Sequence, residues 1–131
     1  MSVNSQPQIT RAVRQSVKPL IGLYGKSGSG KTHSALLLAR GIVGPTGRIV
    51  IIDTESGRGS LFVDLIPGEY DTIKIVEPFS PDKYSEAIDI AESAADCVVI
   101  DSMSHEWESI GGVLEMQEGE LTRMAGEDWK R

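Results

Sequence analysis

Between Gly25 and Thr32 the chain reads Gly-Lys-Ser-Gly-Ser-Gly-Lys-Thr, a complete G-x-x-x-x-G-K-[ST] pattern. Few segments this short constrain a fold as tightly. The spacing between the outer glycines lets the chain wrap around an anion with its backbone N–H groups turned inward. Gly25, Gly28 and Gly30 permit backbone angles and close approaches that a Cβ would obstruct. Gly25, Lys26, Ser27, Gly28, Ser29, Gly30, Lys31 and Thr32 are therefore the candidate phosphate-binding residues. Lys31 is placed to meet β- and γ-phosphates, and the Thr32 hydroxyl to ligate Mg²⁺. A helix opening at Lys31 would aim its partial positive end at the same anion.

Such a loop should follow a buried strand and open a helix. Upstream, Pro19-Leu20-Ile21-Gly22-Leu23-Tyr24 is a short apolar run of strand length. Downstream, Ala35-Leu36-Leu37-Leu38-Ala39 is rich in helix formers, which predicts a helix over about 31–42. The turn cluster Gly44-Pro45-Thr46-Gly47 ends it.

Further along, Arg48 to Asp53 is β-branched and nearly continuous in apolar character, as a buried parallel strand should be. The polar loop Thr54 to Ser60 follows, then a short helical turn over Leu61 to Ile66, then a short strand over Thr72 to Val76. Ser80 reads as an N-cap with Pro81 at the first helical position, and Tyr84, Ala87, Ile88 and Ala91 mark one buried stripe. Cys97 to Asp101 is a further strand. Strands alternating with helices predict an α/β fold with a parallel sheet. Residues 1–17 read as a flexible polar and basic arm, and 18–131 as the globular part.

Composition fits one soluble domain: 131 residues, 40% hydrophobic and 24% charged. No apolar stretch approaches a membrane span, and the N-terminus lacks the apolar core of a secretory signal. The single cysteine, Cys97, lies in an apolar run and reads as a buried thiol; a reducing cytoplasm is the expected location. The net charge of −6 argues against duplex binding by the whole surface. Arg11, Arg14 and Lys18 form a small cationic strip, read as a solvated arm in preference to a nucleic-acid contact.

Two carboxylates complete the chemistry. Four apolar residues ending in Asp101-Ser102 fit a Walker B strand, whose terminal carboxylate points into the ligand crevice and can hold Mg²⁺ beside Thr32. At the end of the second strand stands Asp53-Thr54-Glu55. Glu55 reads either as the group that orients the attacking water in ATP hydrolysis or as a loop carboxylate capping a backbone N–H.

The order phosphate loop, Ile-Asp-Thr-Glu strand, Val-Val-Ile-Asp-Ser strand resembles the RecA-like strand-exchange and helicase ATPases. That resemblance implies Glu55 as the catalytic base, with ATP and Mg²⁺ as cofactors. The chain is more closely similar to a group of bacteriophage-encoded AAA-type ATPases related to RecA. The similar stretches are Gly25 to Leu37, Ile52 to Leu65, Pro78 to Ile88 and Ile100 to Glu115, covering most of 19–131. The Pro-Phe-Ser-Pro and Asp-Ser-x-Ser-His-x-Trp pieces point to the phage group. The resemblance implies ATP hydrolysis linked to phage DNA recombination or single-strand annealing in a host cytoplasm. Single-stranded DNA and further copies of the chain are the implied partners. A non-hydrolysing ATP-binding switch and a P-loop kinase of a small acceptor are the alternatives.

Other residues carry two readings each. His105 could sense a γ-phosphate or bond the loop that holds Asp101, and the structural role is preferred. Arg58 reads as an exposed loop arginine before a phosphate contact. Trp107 and Trp129 read as packing residues before base-stacking ones. A new helix is expected near Gly126. The RecA-like order also calls for a strand after Asp101, lying between 19–24 and 97–101, so the chain is expected to be the N-terminal part of a longer domain, with a minimal nucleotide-binding module as the alternative. Those two strands should then share no ladder bonds.

Overall fold

The computed structural model describes residues 9, 11–13 and 17–128. The elements run α1 (Lys31–Val43), β1 (Ile49–Asp53), a 3₁₀ turn (Arg58–Phe62), β2 (Asp71–Lys74), α2 (Pro81–Ala94), β3 (Cys97–Asp101), α3 (Ser104–Glu108) and α4 (Val113–Asp128). The strands form one parallel sheet in the order β2-β1-β3. Asp53 at the end of β1 lies level with Lys74 on one side and Asp101 on the other. All three strands therefore deliver their C-terminal residues to one edge.

β1 is buried along its whole length, as expected for the centre of a sheet covered on both faces. Its alternate side chains feed two cores. Val50 and Ile52 pack with Ile75, Phe79, Tyr84, Ala87 and Ala91 on the α2 side. Ile49 and Ile51 pack with Leu36, Ala39 and Ile66 on the α1 side. Period-two alternation in β1 thus fixes which helix covers which face. The α2 stripe follows the sequence expectation, with Ile88 packed against its cluster.

Two expectations are corrected. Residues 19–24 form no strand: the segment has no regular structure, and Leu20 and Tyr24 are fully exposed. A strand needs a neighbour for its N–H and C=O groups, and the apolar run finds no ladder among the described residues. It shares no ladder bond with β3, so β3 presents one free edge rather than one side of a slot between two strands. The helix expected near Gly126 is the end of a longer one that begins at Val113. Val113-Leu114-Glu115-Met116-Gln117-Glu118 is strongly helix-forming, and the interior glycines Gly119 and Gly126 hide its continuity.

A buried cation braces the opposite end of the sheet. Arg40, 7% exposed, donates from Nη1 to the carbonyls of Gly44 (3.0 Å) and Gly47 (2.7 Å) and from Nη2 to that of Glu69 (2.6 Å). One guanidinium thereby ties the end of α1 to the turn before β1 and to the segment before β2. A hollow of about 450 Å³ beside it, near Arg48 and Asp71, lies away from the loop at Gly25–Gly30. The arm expected over 1–17 lies outside the described residues except at 9, 11–13 and 17; Trp129 also lies outside them.

Candidate functional site

The loop before α1 has the geometry its glycines predict. Gly28 (φ 75°) and Gly30 (φ 83°) both adopt the left-handed conformation, which an L side chain resists. Gly30 precedes α1 without a side-chain cap. The Ser34 N–H bonds Gly30 O, while the amides of Lys31, Thr32 and His33 have no carbonyl partner among the described residues. They form the positive end of a thirteen-residue helix. The Lys31 ammonium folds back across the loop and donates to Gly25 O (2.9 Å) and Lys26 O (3.0 Å).

Thr32 and Asp101 meet. The Thr32 hydroxyl donates to Asp101 Oδ2 at 2.6 Å, joining the first turn of α1 to the end of β3. These are two hard oxygen donors, the ligand type Mg²⁺ takes. Adjacent ligands on an octahedral Mg²⁺ at 2.0–2.1 Å lie about 2.9 Å apart, so a small opening of this pair admits the ion. The residues present therefore fit Mg²⁺. Among the described residues no group of three or more His, Cys, Asp or Glu converges as a metal cluster.

The tripeptide at the end of β1 divides its labour. Asp53, buried, accepts from the Glu55 N–H on Oδ1 (2.8 Å) and from the Gly59 N–H on Oδ2 (2.9 Å), so its carboxylate closes the loop 54–59 into a ring. A Cβ on Gly59 would come within 3.2 Å of that carboxylate. The N–H capping proposed for Glu55 thus belongs to Asp53. Left-handed Ser56 (φ 59°) and Gly57 (φ 94°) then reverse the chain, and Arg58 Nη1 meets Glu55 Oε2 at 2.7 Å. Arg58 is mostly exposed, as its sequence reading had it, but it is paired.

Thr54 is the junction. Its N–H bonds Asp101 O (2.9 Å), and its hydroxyl accepts the Ser102 N–H (2.9 Å) and lies 2.7 Å from His105 Nδ1. His105 stacks on Phe79, with ring centroids 4.9 Å apart. Tyr84 donates its hydroxyl to Ser102 O (2.9 Å), and burial pushes this phenol above its ordinary value. Glu55, Arg58, Glu77, Phe79 and His105 line a cleft of about 540 Å³ at this edge of the sheet. Burial likewise raises the Cys97 thiol, which keeps it protonated and poorly nucleophilic. The roles of Thr54, Phe79 and Tyr84 escaped the sequence reading, because each depends on contacts between loops. Trp107 is more than half exposed, which sets aside packing in this chain's core and leaves the interface alternative of its sequence reading.

A glycine-rich loop opening a helix, with its threonine set against an aspartate at the end of a parallel strand, is the layout of a P-loop NTPase-like core. The chain belongs to the AAA domain family, an ATPase-type family, whose model matches residues 18–131. No curated protein and no solved structure matches it significantly. No helix among the described residues is long and apolar enough to cross a membrane.

Proposed function

We propose that this chain is a RecA-like ATPase core that binds Mg-ATP at the C-terminal edge of its sheet and hydrolyses it. The observation that carries the reading is the Thr32–Asp101 contact at 2.6 Å, with Glu55 in the loop that leaves the neighbouring strand β1. The amides and side chains of residues 25–32 bind the phosphates. Lys31 exchanges its two loop carbonyls for β- and γ-phosphate oxygens. Thr32 and Asp101 hold Mg²⁺, which neutralises charge on the β- and γ-phosphates. Glu55 orients a water in line with the γ-phosphorus and takes its proton as the bond to the ADP oxygen breaks.

The Glu55–Arg58 pair favours a second reading, a switch that binds ATP without turnover, because a carboxylate oxygen already engaged by a guanidinium is not free to hold a water. The link to phage DNA recombination or annealing, to single-stranded DNA, to self-association and to a host cytoplasm rests on resemblance alone. ATP turnover measured with and without single-stranded DNA across a range of low salt tests it. The recombination reading expects stimulation that falls steeply with salt. Turnover indifferent to DNA removes that link, and no turnover at all favours the switch.

A further inference from the structure

We propose that His105 is a positioning residue that transmits occupancy of the Thr32–Asp101 site to Glu55 through the Thr54 hydroxyl. The inference rests on the reading of Glu55 as the water-orienting group.

Three loops converge on this histidine. Thr54 stands beside Glu55 on the loop after β1 and is 4% exposed. Its hydroxyl accepts one N–H, from Ser102, and has a single proton to give. Three acceptors compete for that proton: His105 Nδ1 at 2.7 Å, and the carbonyls of Asp101 and Ser102, both at 3.2 Å. The nearest is the ring nitrogen, and whether it takes that proton or gives its own to the hydroxyl follows its tautomer. The ring is braced from its other side by Phe79, itself buried and bonded through its N–H to Ile110 O at 2.7 Å. His105 therefore has little freedom, and the Thr54 proton is the part that can change.

That proton provides an element with two discrete arrangements, which coupling between sites requires. When Thr32 and Asp101 open to take a cation between them, any movement of the Asp101–Ser102 backbone reaches the N–H and both carbonyls that Thr54 contacts. The Thr54 hydroxyl then redistributes its proton between His105 and those carbonyls. Glu55 follows Thr54 in the chain and shares the cleft with His105. A histidine that only filled space would not register events at Thr32.

Imidazole ¹⁵N NMR on the full chain, labelled at histidine, tests this with Mg²⁺ and a non-hydrolysable ATP analogue. The His105 signals should move on addition of the analogue. Thr54→Val should alter those signals before any nucleotide is added. It should also bind the analogue with affinity within about twofold of the parent, yet lose the His105 response. Glu55→Gln should retain the response, so the coupling is read independently of whether Glu55 is the base. In turnover, His105→Ala should lower kcat roughly tenfold at unchanged nucleotide affinity, as a small misplacement of a catalytic group does. His105→Asn, which returns a hydrogen-bonding atom near the Nδ1 position, should recover most of it. A His105 signal indifferent to the analogue, or one that responds equally in Thr54→Val, overturns the proposal.

Discussion

Thr32 Oγ1 and Asp101 Oδ2 lie 2.6 Å apart although their residues are 69 positions apart in the chain. This contact ties the start of α1, after the loop at 25–30, to the sheet, and under the proposed function it predicts a metal-dependent component of nucleotide binding. In the parent, an ATP analogue should bind more tightly with Mg²⁺ than with EDTA. Asp101→Asn should lose most of that Mg²⁺ increment, because it removes a charged oxygen donor, and leave EDTA binding nearly unchanged. An Mg²⁺ increment that survives in Asp101→Asn removes the aspartate from the metal site.

Glu55→Gln keeps size and polarity while removing the proposed base. Nucleotide binding should survive, and turnover should fall by roughly 10²–10⁴-fold. Normal turnover by this variant would transfer the role to Glu106, which follows Asp101 on the next short helix. The Arg58 partner is exposed, and a surface pair of this kind is worth about 0–1 kcal/mol. Arg58→Ala should therefore leave the urea midpoint nearly unchanged.

Arg40 presents the opposite case. Its guanidinium serves carbonyls of two segments from a buried position. Arg40→Met keeps the aliphatic stem but abandons those carbonyls, and should destabilise the chain by about 2 kcal/mol or more in urea unfolding. Nucleotide affinity of the folded fraction should be unaffected, since this brace lies at the far end of the sheet.

Tyr84 gives a pH-dependent prediction. Burial, the largest cause, raises its folded-state pKa above that of the unfolded phenol. The neutral, hydrogen-bonded phenol therefore contributes stability that is complete below the unfolded pKa of about 10 and is lost as pH rises through the folded value. Tyr84→Phe should cost about 1 kcal/mol at neutral pH and flatten the alkaline limb of the stability curve. Tyr70, raised for the same reason, retains its own share. An alkaline limb unchanged in Tyr84→Phe contradicts the assignment.

The sequence shows most clearly the parts set by local chemistry. The glycines of the loop, the β-branched run of β1 and the Ser80-Pro81 helix start each encode their conformation within a few residues. Asp101 was legible because an apolar strand ending in a carboxylate has few other uses after such a loop. The division of labour in Asp53-Thr54-Glu55 was not legible, because it depends on which N–H groups the following turn returns to Asp53. The Thr54–His105 contact was hidden for a related reason: it spans two loops joined only through parallel strands. Residues 19–24 misled because apolar character predicts burial, whereas this run stays exposed and leaves the free edge of β3 unpaired.

The central claim is that the loop at 25–32 binds nucleotide phosphates through Lys31. Isothermal titration of the full chain with Mg²⁺ and a non-hydrolysable ATP analogue, parent against Lys31→Ala, tests it most directly. The account predicts saturable binding by the parent and loss of most of that affinity in the variant, since the ammonium that meets the β- and γ-phosphates is gone. Equal affinity in the two proteins would contradict it.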